Sequence, residues 1–230
     1  MTLALRNTVQ LAGVADRAEA EMMADAGVDF IGFPLRLAVH EEDISEDRAQ
    51  EIIKHIEPPP HAVLITYLSR STDIASVCRT LKVYAVQLHG DISTEELIAL
   101  RNLEPQLCVI KSLIVADGSE ARLRLDVEEL SPYVHAFITD TFDPVTGARG
   151  ATGKTHDWSI SRELVEHTDT PVWLAGGLTP ENVGDAVDRV HPAGVDAHTG
   201  VEDASGRKDP DRVKRFVTEA KAAFERMNTS

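Results

Sequence analysis

The chain has 230 residues, and 38 acidic against 23 basic side chains give it a formal net charge of −15. That length suits a single domain, 1–230, with a substantial core, and 43% apolar with 27% charged residues is a globular composition, not a disordered one. A surface this acidic repels phosphate backbones and anionic membranes, and no Lys/Arg cluster offsets it, so neither nucleic acid nor a membrane is an expected partner.

No apolar stretch approaches the roughly 18–20 residues that span a bilayer. Met1 to Asn7 lacks the basic-then-apolar order of a secretion signal. The two cysteines, Cys78 and Cys108, have no CxxC spacing, so neither a disulfide framework nor a zinc site is expected. The expected location is cytoplasmic.

Taken in order, the predicted elements alternate. A strand over 8–11 precedes a helix over 15–26, whose Ala18, Met22 and Ala26 share a face. A strand over 30–33 is followed by a helix over 45–56, with Ser45 as N-cap and Ala49, Ile52, Ile53 and Ile56 on one side. Strands over 62–67, 85–88 and 108–114 lead into helices over 73–81, 93–102 and 126–130. Strands over 136–139, 172–174 and 194–197 lead into helices over 159–167, 180–190 and 210–227, with Pro180 and Pro210 in first helical turns.

Short, mostly apolar strands of this kind are buried on both faces of a parallel sheet. Eight strand–helix units of about 29 residues predict an α/β fold, a (β/α)8 or TIM barrel. An open doubly wound sheet is the competing architecture. It normally carries a glycine-rich turn after its first strand, and only Gly13 follows Leu11.

Barrel chemistry collects where strands end at the C-terminal rim. Strand four ends in Gln87-Leu88-His89-Gly90, and strand six runs into Thr139-Asp140-Thr141 and a loop carrying Gly150, Gly153 and Lys154. Strand seven ends in Ala175-Gly176-Gly177-Leu178, and strand eight in Asp196-Ala197-His198-Thr199-Gly200. The glycines after strands seven and eight predict a phosphate cradle, since a residue without Cβ lets an anion approach backbone N–H groups; a plain tight turn is the bland alternative. Asp140 is the first charge after an apolar strand. It reads either as a general acid or as a turn cap paired with Arg149 or Lys154. His89 and His198 are rim residues that could pack or titrate, whereas His55, His61, His135, His167 and His191 fall away from the rim. His156 and Trp158 read as anchors of helix six, and no cluster has metal-ligand spacing.

The segments Val86-Gln-Leu-His-Gly90, Gly150-Ala-Thr-Gly-Lys-Thr-His-Asp-Trp158, Leu174-Ala-Gly-Gly-Leu-Thr-Pro-Glu-Asn182 and Gly200-Val-Glu202, in this order, resemble the phosphoribosylanthranilate isomerase family. The resemblance implies a barrel enzyme of tryptophan biosynthesis that performs an Amadori rearrangement of a small phosphorylated sugar, with no cofactor, as a monomer or homodimer. It implies Asp140 as the acid that opens the furanose ring. Gly176, Gly177, Thr199, Gly200 and His198 become the phosphate and substrate contacts, and Gln87 and His89 the strand-four motif. Lys111 or Lys154 could assist the cradle.

Two departures stand out. The family's strand one ends in Cys-Gly, its general base, whereas this chain has Ala12-Gly13. A methyl group cannot accept a proton, so the base is either relocated, to His198 or His40, or lost. The family also carries an arginine after strand two that meets the anthranilate carboxylate. Here Arg36 stands too early and is followed by Glu41-Glu-Asp43. A divergent paralogue with another aglycone, or a binding barrel without catalysis, are the alternatives these departures leave open.

Overall fold

The computed structural model describes residues 3–37, 42–141 and 155–229. Eight strands pair in parallel with their sequence neighbours: β1 (Thr8–Ala12), β2 (Phe30–Pro34), β3 (His61–Thr66), β4 (Ala85–Leu88), β5 (Cys108–Val115), β6 (Ala136–Thr141), β7 (Val172–Leu174) and β8 (Gly194–Ala197). Pairing of Gln10 with Asp196 and of Leu11 with Ala197 closes β8 on β1, so the sheet is a barrel without edges. The intervening helices are α1 (Arg17–Asp25), α2 (Glu46–Ile53), α3 (Ser71–Leu81), α4 (Thr94–Leu103), α5 (Glu120–Leu130), α6 (Trp158–His167), α7 (Val183–Val190) and α8 (Pro210–Thr229). The (β/α)8 expectation holds, and the open sheet is excluded.

Side-chain alternation along each strand divides the core in two. Outward residues such as Val9, Leu11, Ile31, Phe33, Leu64, Val86 and Leu174 pack under the helices. Inward residues fill the barrel from its N-terminal end with Phe30, Val63, Ala85, Ile110, Ile138 and Trp173. The Trp173 indole donates to the Leu5 carbonyl at 2.9 Å, and Leu3 and Leu5 pack against this lower layer. Above it, the inward positions turn polar.

Helix starts follow local chemistry. Asp16, Ser45, Ser93 and Asp157 each accept a backbone N–H of the first turn, which sets the N-termini of α1, α2, α4 and α6. Several expectations need correction. β3 lies one residue earlier than predicted, and β6 continues through Asp140 to Thr141, so Asp140 is a strand residue paired with Ile114. α5 begins at Glu120 instead of 126. α7 begins at Val183, leaving Pro180 in the preceding turn, whereas Pro210 does open α8.

Candidate active site at the barrel rim

The polar upper layer is tied across the barrel. Gln10 Nε2 donates to Gln87 Oε1 at 2.8 Å, Gln87 Nε2 donates to Ser112 Oγ at 3.3 Å, and Ser112 Oγ lies 3.1 Å from His89 Nδ1. The His89 ring packs against Tyr67 with centroids 5.0 Å apart. This network fixes β1, β4 and β5 beneath a cavity of ≈ 250 Å³ that opens at the C-terminal rim.

Nine of the residues singled out from the sequence border that cavity. β1 contributes Ala12, β4 and its following turn contribute Gln87 and His89, and β6 contributes Asp140. The turn after β7 supplies Gly176 and Gly177, and the residues after β8 supply His198, Thr199 and Gly200. Asp140 uses one carboxylate oxygen to accept the Thr141 N–H at 2.7 Å. Arg149, Lys154, His40 and Glu41 lie outside the described residues. Lys111 does not border the cavity; its residue is buried behind β5, where Nζ donates to the Ser112 carbonyl at 2.7 Å. Arg36 pairs with Glu46 of α2 away from the cavity. Among the described residues, no Lys or Arg lines the cavity.

The rim turns are shaped by close approach. Gly176 has φ +96° and Gly177 φ +61°, and a Cβ on Gly176 would collide with Thr141 Oγ1. Asn182 clamps the same turn, its Nδ2 donating to Gly177 O at 3.0 Å and its Oδ1 accepting from Thr179 N at 2.8 Å. A Cβ on Gly200 would collide with the Leu178 carbonyl, so the turns after β7 and β8 touch and form one continuous ledge. Behind it, His156 bonds Thr141 Oγ1 at 3.0 Å and Ser161 Oγ at 2.6 Å, and Ser161 donates to Thr139 at 3.0 Å. Burial pushes His156 down to about 4, so it stays neutral at physiological pH and anchors α6 to β6. Trp158 opens α6 with the Arg189 guanidinium 5.2 Å from its ring centroid.

Two further acids face the cavity: Asp196, which the sequence reading did not single out, and Asp43, which it noted only as part of an acidic loop. Asp196 of β8 is 8% exposed, and burial, reinforced by the nearby Asp140 carboxylate, pushes it up to about 7 against a hydrogen bond from Gln10. Its Oδ1 is buried with no hydrogen-bond partner among the described residues. A charge inside the otherwise apolar run Gly194–Ala197 was the available signal. Asp43, from the segment before α2, reaches the cavity beside His198; desolvation raises its pKa while Lys208 opposes the shift. The cysteines stand elsewhere. Cys78 is on α3, Cys108 starts β5 at the lower end, and burial pushes both thiols up to about 12, so neither supplies a thiolate to the rim. The described residues contain no His/Cys/Asp/Glu group placed to hold a metal, and no helix long and apolar enough to cross a membrane.

A closed barrel with acids, histidines and a glycine ledge gathered at one rim defines a (β/α)8 enzyme scaffold. Residues 9–219 match the family model of N-(5'-phosphoribosyl)anthranilate (PRA) isomerase, and the chain belongs to that family. It is 38% identical over 217 residues to N-(5'-phosphoribosyl)anthranilate isomerase 2 of Methanosarcina mazei, covering 94% of this chain and 95% of the relative. It is 37% identical to the Haloferax volcanii isomerase, with 94% and 93% covered. Among solved structures, phosphoribosylanthranilate isomerase of Thermotoga maritima superposes with a TM-score of 0.79 at 29% identity, covering 94% of this chain and 98% of that one. Another, at 26% identity and a TM-score of 0.77 with the same coverage, holds reduced 1-(o-carboxyphenylamino)-1-deoxyribulose 5-phosphate.

Proposed function

We propose that the chain isomerises N-(5'-phosphoribosyl)anthranilate to the corresponding 1-amino-1-deoxyribulose 5-phosphate in tryptophan biosynthesis. The conversion turns an aminated aldose into a ketose with no net redox change, so it needs proton transfers and a grip on the phosphate, without a cofactor. The observation that carries this reading is the joining of Asp140 and the glycine ledge in one cavity. Asp140 protonates the furanose ring oxygen, and the nitrogen lone pair expels it to give an iminium. Gly176, Gly177, Thr199 and Gly200 present backbone to the phosphate, and His198, Gln87 and His89 contact the sugar. Two free, buried cysteines suit a cytoplasmic enzyme.

Expression in a tryptophan auxotroph lacking this isomerase tests the reading. Growth is expected from the native chain. Asp140→Asn is expected to lower kcat by about 10²–10⁴-fold, measured on the purified protein. Unchanged turnover in that variant would remove Asp140 from the mechanism. A paralogue with a different aglycone is favoured by one observation: Asp43, not a cation, borders the cavity. Failure to support growth, together with calorimetric binding of ribulose 5-phosphate, would establish that reading instead.

A further inference from the structure

We propose that His198 is the general base of this isomerase, seated over the end of β1 between Asp43 and Glu202. The inference rests on the isomerase reading and adds to it the group that removes the sugar C2 proton. Once the ring is open, the C2–H bond must break. Its electron pair forms the C1–C2 double bond, and the iminium π pair returns to nitrogen. The resulting enolamine becomes the ketone when the C2 hydroxyl releases its proton and C1 gains one. A proton acceptor must therefore share the cavity with Asp140.

Among the described residues, the side chains around the cavity able to accept a proton are Asp43, His89, Asp140, Asp196 and His198. Asp140 serves the ring oxygen. His89 is built into the Ser112 network against Tyr67. Asp196 lies one layer lower, level with Gln10, where its charge competes with that of Asp140. Asp43 meets the imidazole itself.

His198 sits where Ala12 presents only a methyl group. Its ring rests on Gly13, the residue after Ala12, so closely that a Cβ there would collide with both the His198 imidazole and the Asp43 carboxylate. Gly13, at φ +75°, leaves this space open. His198 Nε2 is 3.5 Å from Glu202 Oε1 and 3.8 Å from Asp43 Oδ2. Lys208 holds the arrangement from behind, its Nζ donating to Glu202 Oε1 at 2.6 Å and to the His198 carbonyl at 3.1 Å. Carboxylates beside an imidazole fix its orientation and stabilise the positive charge it acquires with the proton. The base has thus moved from β1 to the end of the adjoining strand, β8.

Steady-state kinetics with N-(5'-phosphoribosyl)anthranilate on the native chain, His198→Gln, Asp196→Asn and the double variant Ala12→Cys/His198→Gln test the assignment. His198→Gln is expected to lose about 10²–10⁴-fold in kcat with a smaller change in KM. Adding Ala12→Cys should recover at least tenfold of that loss, which a merely misfolded chain could not do. The acid limb of the kcat/KM profile should move to higher pH in the double variant, because a thiol titrates above an imidazole. Asp43, His89, Asp140, Asp196, Glu202 and Lys208 face the site and are the same in the native chain and the double variant, so the move between those two belongs to the exchanged base. An active native chain whose His198→Gln variant keeps its kcat overturns the assignment, as does a loss that Ala12→Cys leaves unrescued. A loss confined to Asp196→Asn overturns it too, in favour of that carboxylate. A native chain without turnover overturns the isomerase reading along with it.

Discussion

Asp196 sets burial against charge within a single side chain. Its pKa rises from 3.8 to about 7 because desolvation and the Asp140 carboxylate both penalise ionisation. The folded chain therefore keeps a proton that the unfolded chain releases between about pH 4 and 7. Stability falls as pH rises through that window, and the cost is complete above pH 7. Asp196→Asn keeps the shape and an acceptor for Gln10 while removing the charge. The variant should melt several degrees above the native chain at pH 8, approaching its melting temperature near pH 4. A shift of this size corresponds to about 4 kcal/mol at most, and each kcal/mol moves Tm by about 2–4 °C in a domain of this length. Thermal unfolding at pH 4, 6 and 8 checks it, and equal melting at pH 8 would place the ionised carboxylate in a better-solvated setting. The same strand shows what the sequence concealed. The rim rule found His198, and two-residue alternation puts Asp196 on the same inward face, yet in a four-residue strand the acid reads as a solvent-facing interruption. That Ala12 stands where the family's strand one ends in cysteine was legible from the aligned Leu11 and Gly13 beside it. Asp43 was legible as part of an acidic rim loop, but its place beside His198 was not, because that depends on His198 and Lys208 from the far end of the chain.

The turn between β7 and α7 decides more than either element it joins. Asn182 satisfies Gly177 O and Thr179 N with one amide, which delays helix formation to Val183 and leaves Pro180 outside α7. Sequence periodicity extended the helix back to Pro180, since the clamp is a side-chain contact that no hydrophobic pattern encodes. α5 was shortened for the opposite reason. Leu123, Val127 and Leu130 form its buried stripe, but Leu125, in mid-helix, is 60% exposed and blurs the pattern ahead of residue 126. Strand order and the glycine ledge were readable, because both follow from residue type at the strand ends. The clamp predicts a separable effect. Asn182→Ala removes two hydrogen bonds worth about 1 kcal/mol each, so Tm should fall by a few degrees. If the turn holds phosphate in substrate and transition state alike, KM should rise several-fold with kcat little changed. A lowered Tm with unaltered KM would confine the clamp to stability.

Across the whole molecule, a net charge of −15 leaves an excess of carboxylates that one-to-one pairing cannot neutralise. Exposed pairs such as Arg17–Glu21, Arg162–Glu166 and Arg189–Asp185 act at contact distance, and each is worth about 0–1 kcal/mol. The remaining repulsion is long-ranged, and salt reaches it first: the screening length shrinks from about 30 Å at 0.01 M to about 3 Å at 1 M. Adding sodium chloride over that range should therefore raise Tm by several degrees. Chloride is the appropriate salt, because sulfate would add its own stabilisation by exclusion from the protein surface. The proposed substrate, carrying a phosphate and a carboxylate, meets the same repulsive field on approach, so its KM should fall over the first part of the titration. Once the screening length is shorter than the cavity, the local attraction of the backbone ledge is screened as well and the fall should stop. A Tm that drops with chloride would mean that clustered attractions, such as Arg207 between Asp16 and Glu19, outweigh the net repulsion. The acidic surplus would then be held in check by a few well-placed guanidiniums instead of by the solvent.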